Sequence, residues 1–124
     1  MENIMKIEKK IPITHYNCPV TFCVSKIGGK WKPVIIYLIR KGANRFGILQ
    51  RGIEGISKQM LTHQLRELEE DKILERIVYA EVPPRVEYKF TDYGKSLFPI
   101  IDAMIQWGNK NMEVFASTID EEYY

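Results

Sequence analysis

From Cys18 onward the apolar positions fall into a helical rhythm. Val20, Val24 and Ile27 repeat at i, i+4 and i+7 behind Pro19, a residue suited to a first helical position. Gly28-Gly29 ends that stretch. A second helix is expected from near Lys30. Its Pro33 falls in the first turn, where a missing N–H is harmless. Trp31, Val34, Ile35, Leu38 and Ile39 give it a broad apolar face, and Lys41-Gly42 closes it. Asn44-Arg45 opens a short third helix carrying Phe46, Leu49 and Ile53, bounded by Gly52 and Gly55. Ser57 is a good N-cap for a fourth. There Leu61, Leu65 and Leu68 form one stripe, and Lys58, Gln59, Thr62, His63 and Arg66 lie opposite. The acidic run Glu67, Glu69, Glu70, Asp71 crowds its C-terminal end, against the preference of the helix dipole.

The period then changes. Residues 74–79 are rich in β-formers, and Val86-Glu87-Tyr88-Lys89-Phe90 alternates as a half-buried strand does. Glu81-Val82-Pro83-Pro84-Arg85 between them predicts a hairpin with a stiff, protruding tip. Thr91 is placed to cap a last helix in which Leu97, Ile101, Met104, Ile105, Gly108, Met112 and Phe115 keep spacings of three and four, with a kink expected at Pro99. Residues 1–17 read as an N-terminal arm, residues 18–116 as the domain, and residues 117–124 as an acidic C-terminal tail. Helix, helix, short helix, helix, hairpin and long helix make a mainly α fold with a small β-hairpin. That order is a winged helix-turn-helix, with the third and fourth helices as the paired unit.

Charge sharpens this picture more than composition does. The net charge of the 124 residues is only +2, but residues 1–62 hold eleven Lys/Arg against three Asp/Glu, and residues 63–124 hold seven against thirteen. Two readings are open: a cationic face for an anionic partner, or two oppositely charged halves that pair within the fold. Residues 34–39 are the longest apolar run, far short of the ~20 residues that span a bilayer. The opening residues carry no apolar signal region. The chain is therefore expected to be cytoplasmic and not a membrane protein.

The polar face of the fourth helix is the strongest chemical candidate. Ser57, Lys58, Gln59, Thr62, His63 and Arg66 are the residue types that read DNA: Gln pairs with adenine, Lys or Arg with guanine, and the Thr methyl touches thymine. An ordinary solvated helix face is the competing reading, and the hairpin that follows favours DNA. Arg85 is expected at the hairpin tip, where it would enter a minor groove or reach a phosphate; pairing with Glu81 or Glu87 is its alternative. Arg45 and Lys30 are phosphate candidates at two helix starts. His15, Cys18 and Cys23 fall short of the four ligands a structural zinc needs, since the one other His or Cys is His63, so no metal and no cofactor is expected. Cys18 precedes a helix start, where unsatisfied N–H groups stabilise a thiolate; an inert thiol is the alternative. Phosphate-binding loops, hydrolase elbows and metalloprotease motifs are absent, so no enzyme is expected.

The sequence resembles the HxlR-type family of bacterial winged-helix regulators, related to the MarR-type proteins. The resemblance rests on Cys18-Pro19-Val20, Ile27-Gly28-Gly29-Lys30-Trp31, Arg45-Phe46, Gly55-Ile56-Ser57, Leu61-Thr62, Leu65-Arg66-Glu67-Leu68-Glu69-Glu70-Asp71, Val82-Pro83-Pro84-Arg85-Val86-Glu87-Tyr88 and Trp107-Gly108. It implies a homodimeric transcription factor on double-stranded DNA, dimerising through the first and last helices, with the fourth helix in the major groove and the hairpin as wing. The expected operator is pseudo-palindromic. Some members sense redox state or electrophiles through the cysteine that matches Cys18; Cys23 departs from the family pattern. No small-molecule inducer is implied. The apolar surplus of the last helix agrees with a dimer: Met104, Ile105, Trp107 and Met112 are the expected interface, with Phe115 beside them. A winged-helix protein–protein interaction module without DNA binding is the alternative function, and the basic first half argues against it.

Overall fold

The computed structural model describes residues 12 and 16–123, the side chains to residue 116. The chain runs α1 (Pro19–Ile27), α2 (Lys32–Arg40), α3 (Phe46–Gly52), α4 (Lys58–Glu70), β1 (Leu74–Tyr79), β2 (Arg85–Phe90), α5 (Asp92–Lys95) and α6 (Phe98–Tyr123). The expected order holds, with one addition. Thr91 caps a separate four-residue helix, accepting from the Gly94 N–H at 2.8 Å, and a new helix starts at Phe98. Pro99 is consequently the second residue of α6, where it costs no hydrogen bond, and does not kink a continuous helix. Gly94 permits that break: a Cβ there would collide with the Ile73 carbonyl. The backbone of α6 continues to Tyr123, past residue 116 where the pattern ended the domain.

The core joins α2, α3, α4 and the start of the hairpin. Ile35, Leu49, Leu61, Leu65, Leu68, Ile73 and Leu74 are fully buried, with Tyr88 and Phe90 closing one side. Leu61, Leu65 and Leu68 are the predicted α4 stripe. Strands β1 and β2 pair antiparallel, Leu74 opposite Phe90 and Arg76 opposite Tyr88. The Tyr88 N–H donates to the Asn44 carbonyl at 2.9 Å, so the hairpin is tied to the segment that leads into α3. Phe98, at the head of α6, meets Phe90 edge-on at 4.9 Å and lies under the Arg40 guanidinium at 4.0 Å. Arg40 also grips Asp102 with two hydrogen bonds of 3.1 and 3.0 Å, docking α6 on α2. This contact raises the Arg40 pKa and holds the Asp102 carboxyl below its ordinary value, through the hydrogen bond between them.

Two elements differ from the pattern. In α1 only Ile27 of the apolar repeat is buried; Cys23, four residues earlier, packs on the core with it. Val20, at 71% exposure, and Val24 face outward. In α6, Ile101 is buried, and Ile105, expected at a dimer interface, is half-buried against the same core and also lines the apolar groove beside it. Met104, Trp107, Met112 and Phe115 are exposed, Trp107 by 70%. An apolar groove of about 400 Å³ lies between α2 and α6, lined by Ile27, Pro33, Tyr37, Met104, Ile105 and Met112 among others.

Candidate nucleic-acid interface

Helix α3 ends at Gly52, and the chain turns through Gly55, whose φ of +84° lies in the left-handed region that glycine enters without strain. Ser57 then caps α4, its hydroxyl accepting from the Met60 N–H at 3.0 Å. Because Leu61, Leu65 and Leu68 turn inward, Lys58, Gln59, His63 and Arg66 stand exposed on the opposite face, with Thr62 half-buried at its margin. The structure thus gathers these five predicted residues and Ser57 on one convex helix surface.

The acidic end of α4 is neutralised from a distance. Asp71 pairs with Lys26 of α1 at 3.3 Å, and Glu67 pairs with Lys32 of α2 at 3.2 Å. The ammonium of Lys32 is itself buried, its side chain 10% exposed. Glu67 uses its second oxygen on His63, at 2.8 Å from Nε2. With Arg40–Asp102, three cations of the basic first half are thereby paired with acids of the second. Lys58 and Arg66 enter no ion pair among the described residues, and they carry the positive charge of the exposed face.

The wing corrects the sequence reading of Arg85. The tip is formed by residues 80–84, and Arg85 is the first residue of β2 rather than the tip itself. Its guanidinium stacks on Tyr79 at 4.0 Å and pairs with Glu81 at 3.1 Å and Glu87 at 3.4 Å. Arg85 and Glu87 share a strand face, two residues apart, so the arginine folds over the carboxylate and buries it. The alternation of β2 placed Glu87 outward; its 8% exposure is the result of this cover. Arg85 in the free protein braces the wing. Arg45 is exposed as the N-cap residue of α3, without a side-chain cap bond. Lys30 precedes α2, its ammonium held over the Trp31 ring at 4.7 Å.

Arg76 is a residue the motifs did not single out. It is exposed on β1, opposite Tyr88. Burial, then the charge of Glu69, raises the Tyr88 pKa, while a hydrogen bond from Arg76 and the charges of Arg76 and Arg66 act against that rise. Strand register alone sets Arg76 across from Tyr88, which the motifs could not reveal.

Cys18 is the N-cap of α1, and its sulfur accepts from the Thr21 N–H at 3.5 Å. Hydrogen bonding from Thr21 lowers the thiol's pKa. Cys18 and Cys23 are free and half-buried. Five residues of helical rise separate them by about 7.5 Å along the axis, beyond the Cα separations a disulfide spans without moving the backbone. No group of three or more His, Cys, Asp or Glu able to hold a metal occurs among the described residues, and His15 lies outside them. Nor is any described helix long and apolar enough to cross a membrane.

A capped helix presented by a tight turn, behind a two-stranded wing, defines a winged helix-turn-helix protein of the transcription-regulator class. More particularly, the chain belongs to the HxlR-like helix-turn-helix family, whose model matches residues 26–115. It is 44% identical over 113 residues to YybR of Bacillus subtilis (strain 168), an uncharacterized HTH-type transcriptional regulator, covering 91% of this chain and 90% of that one. Among solved structures it is similar to the redox regulator HypR. The reduced form matches with a TM-score of 0.73 and 46% identity over 81% of this chain and 99% of that one. The oxidised form matches with a TM-score of 0.70 and 48% identity, over 76% and 97%. The family consists of transcriptional regulators rather than enzymes.

Proposed function

We propose that this regulator acts in the cytoplasm as a homodimer on a pseudo-palindromic DNA operator, each copy laying α4 in a major groove. The observation that carries the reading is the divided surface of α4: three leucines committed to the core, and Lys58, Gln59, Thr62, His63 and Arg66 left outward beyond a Ser57 cap. Gln59, Thr62 and His63 supply base-edge contacts; Lys58, Arg66 and Arg45 supply phosphate contacts, with Lys30 further out. Arg76 joins the phosphate set at the junction of helix and wing. Arg85 holds the wing's shape, and its own DNA contact requires it to leave Glu81 or Glu87. The second copy covers the open apolar faces of α1 and α6, including Val20, Met104, Trp107 and Met112. Cys18 is the sensing thiol of the reading. Its thiolate is favoured by Thr21, it sits on the helix expected at the subunit interface, and the similar HypR is a redox regulator.

The test is fluorescence anisotropy with duplexes selected by the protein from its own genome, at several salt concentrations. Binding should weaken steeply with salt, with a slope set by the number of phosphates contacted. Failure to bind any duplex at low salt would favour the protein–protein module. For the thiol, the comparison is wild type, Cys18→Ser and Cys23→Ser, each with and without dilute hydrogen peroxide. Release of wild type and Cys23→Ser with retention of Cys18→Ser supports the switch; retention of wild type with Cys18 demonstrably modified removes it.

A further inference from the structure

Helix α6 carries two apolar stripes. Ile101 and Ile105 belong to the inner one, which packs on the core and lines the groove beside α2. Ile100, Met104, Trp107, Asn111 and Val114 mark the outer one. They stand four, three, four and three residues apart, the 3.5-residue repeat of a coiled-coil seam. At about 100° per residue they fall within about 80° of arc, on a face turned away from Ile105. Ile100, Met104 and Trp107 are exposed by 43%, 50% and 70%. Two open hollows lie on this stripe, each lined, among the described residues, by α6 only. One is bounded by Pro99, Ile100, Ala103, Met104 and Trp107, the other by Trp107, Gly108, Asn111, Met112, Val114 and Phe115. Each contains a set of residues i, i+3, i+4 and i+7, the outline of the hole that receives a side chain of a facing helix. Ala103 and Gly108 keep the hollows open; a Cβ on Gly108 would meet nothing within 4 Å.

The seam is apolar except at Asn111. That side chain is half-buried, and its Nδ2 donates to the Trp107 carbonyl at 2.8 Å. The bond orients the amide and leaves Oδ1 and one N–H for a partner across the seam. We propose that the outer stripe pairs with the same stripe of a second copy, and that Asn111 fixes the register of this pairing and limits it to two strands. This rests on the homodimer reading and says how that dimer is aligned. Two observations make the occupant a second copy. The stripe supplies both parts of the joint, large side chains at Met104 and Trp107 and hollows beside them, so it is complementary to itself. The exposed apolar residues of α1 and α6 also offer on the order of 1,000 Å², above the ~800 Å² that each partner of a stable dimer buries. An entirely apolar seam slides by a heptad, or gathers a third helix, at little cost. A buried amide does not allow this, because every alignment that leaves it without a hydrogen-bond partner is penalised. Asn111 thereby gives up affinity for a single alignment.

The experiment compares wild type, Asn111→Leu, Asn111→Ala and Gln106→Leu by sedimentation; Gln106 is exposed on α6 outside both stripes. Circular dichroism confirms that each is folded. Wild type and Gln106→Leu should each form one dimer. Asn111→Leu should associate about tenfold more tightly and distribute over dimers and trimers. To read the alignment, each chain is placed in a Cys18→Ser/Cys23→Ser background with a spin label at Glu113→Cys, and the distance between labels is measured. Wild type and Gln106→Leu should give one narrow distance, and Asn111→Leu and Asn111→Ala should give several. An Asn111→Leu chain that remains a single dimer with one narrow distance overturns the proposal and leaves the homodimer reading intact. Equal broadening in Gln106→Leu shows that any new leucine on α6 disturbs the pairing, and overturns it as well. A wild type that stays monomeric at every concentration removes the homodimer reading itself, and the proposal falls with it.

Discussion

The winged-helix unit and the α1–α6 pair share a chain but not a degree of completion. Between α2 and the hairpin, the central apolar positions find partners within the molecule, down to the full burial of Leu49, Leu61 and Leu68, and Tyr37, Ile48, Met60, Val78 and Val82 are the ones left exposed. Along α1 and α6 the same kinds of residue stand in the open: Val20, Val24, Met104, Trp107, Met112 and Phe115. The first region specifies its own fold. The second carries an apolar surface that water penalises, the surface the proposed second copy would cover. A substitution in the first should therefore act on folding, and one in the second on association.

Leu65→Ala tests the closed side most severely. It leaves a cavity at a site 1% exposed, and stability should fall by about 2–5 kcal/mol in urea denaturation. Gly94→Ala should follow at about 1–3 kcal/mol, because the added methyl must push aside the Ile73 carbonyl. Trp107→Ala addresses the open side. Sedimentation should show a weaker dimer by at least tenfold, the loss of more than about 1.4 kcal/mol of association. The helical signal at dimer-free dilution should be unchanged. If Trp107→Ala unfolds the diluted chain, the division between the two regions is wrong.

The order of elements was legible because each depends on neighbours in sequence. Ser57, Gly55, the leucine stripe and the alternation of β2 announce a capped helix after a tight turn, then a strand. What escaped the pattern depends on residues far apart. The acids ending α4 look unfavourable until Lys26 and Lys32 arrive from 45 and 35 residues earlier. Glu87 reads as a solvent residue until Arg85 folds over it. Val20 and Val24 keep helical spacing but face away from the core, since periodicity identifies an apolar face without saying which molecule covers it. The polar face of α4 was legible residue by residue, as is the i, i+4 approach of His63 to Glu67, whereas the Lys32–Glu67 pair joins two helices 35 residues apart.

Two smaller effects probe the seam between the regions. Thr21 donates to Cys18 and lowers its pKa, so more thiolate is present at neutral pH than in an ordinary cysteine. Iodoacetamide should therefore alkylate Cys18 several-fold faster than Cys23 at pH 7, followed by mass spectrometry. Equal rates would remove the special status of Cys18. Asp102 has its pKa depressed by Arg40, so the pair stabilises the docking of α6 at pH values above the unfolded carboxylate's pKa. That contribution is lost as pH falls through the lower folded value. Amide exchange in the first turns of α6 should separate wild type from Asp102→Asn at neutral pH and converge in acid.

The length of α6 has a mechanical consequence. Its core contacts lie at Ile101 and Ile105, and its backbone continues to Tyr123. Eighteen residues of helix beyond Ile105 make an arm of about 27 Å. A swing of about 7° at its root moves the far end by about 3.4 Å, the rise of one base pair. In a dimer joined along this arm, the reach between the two reading heads is an angular quantity before it is a linear one. In that arrangement the docking of Phe98 and Asp102 on Arg40 would be the pivot, and its stiffness would set how many base pairs of spacer the dimer tolerates.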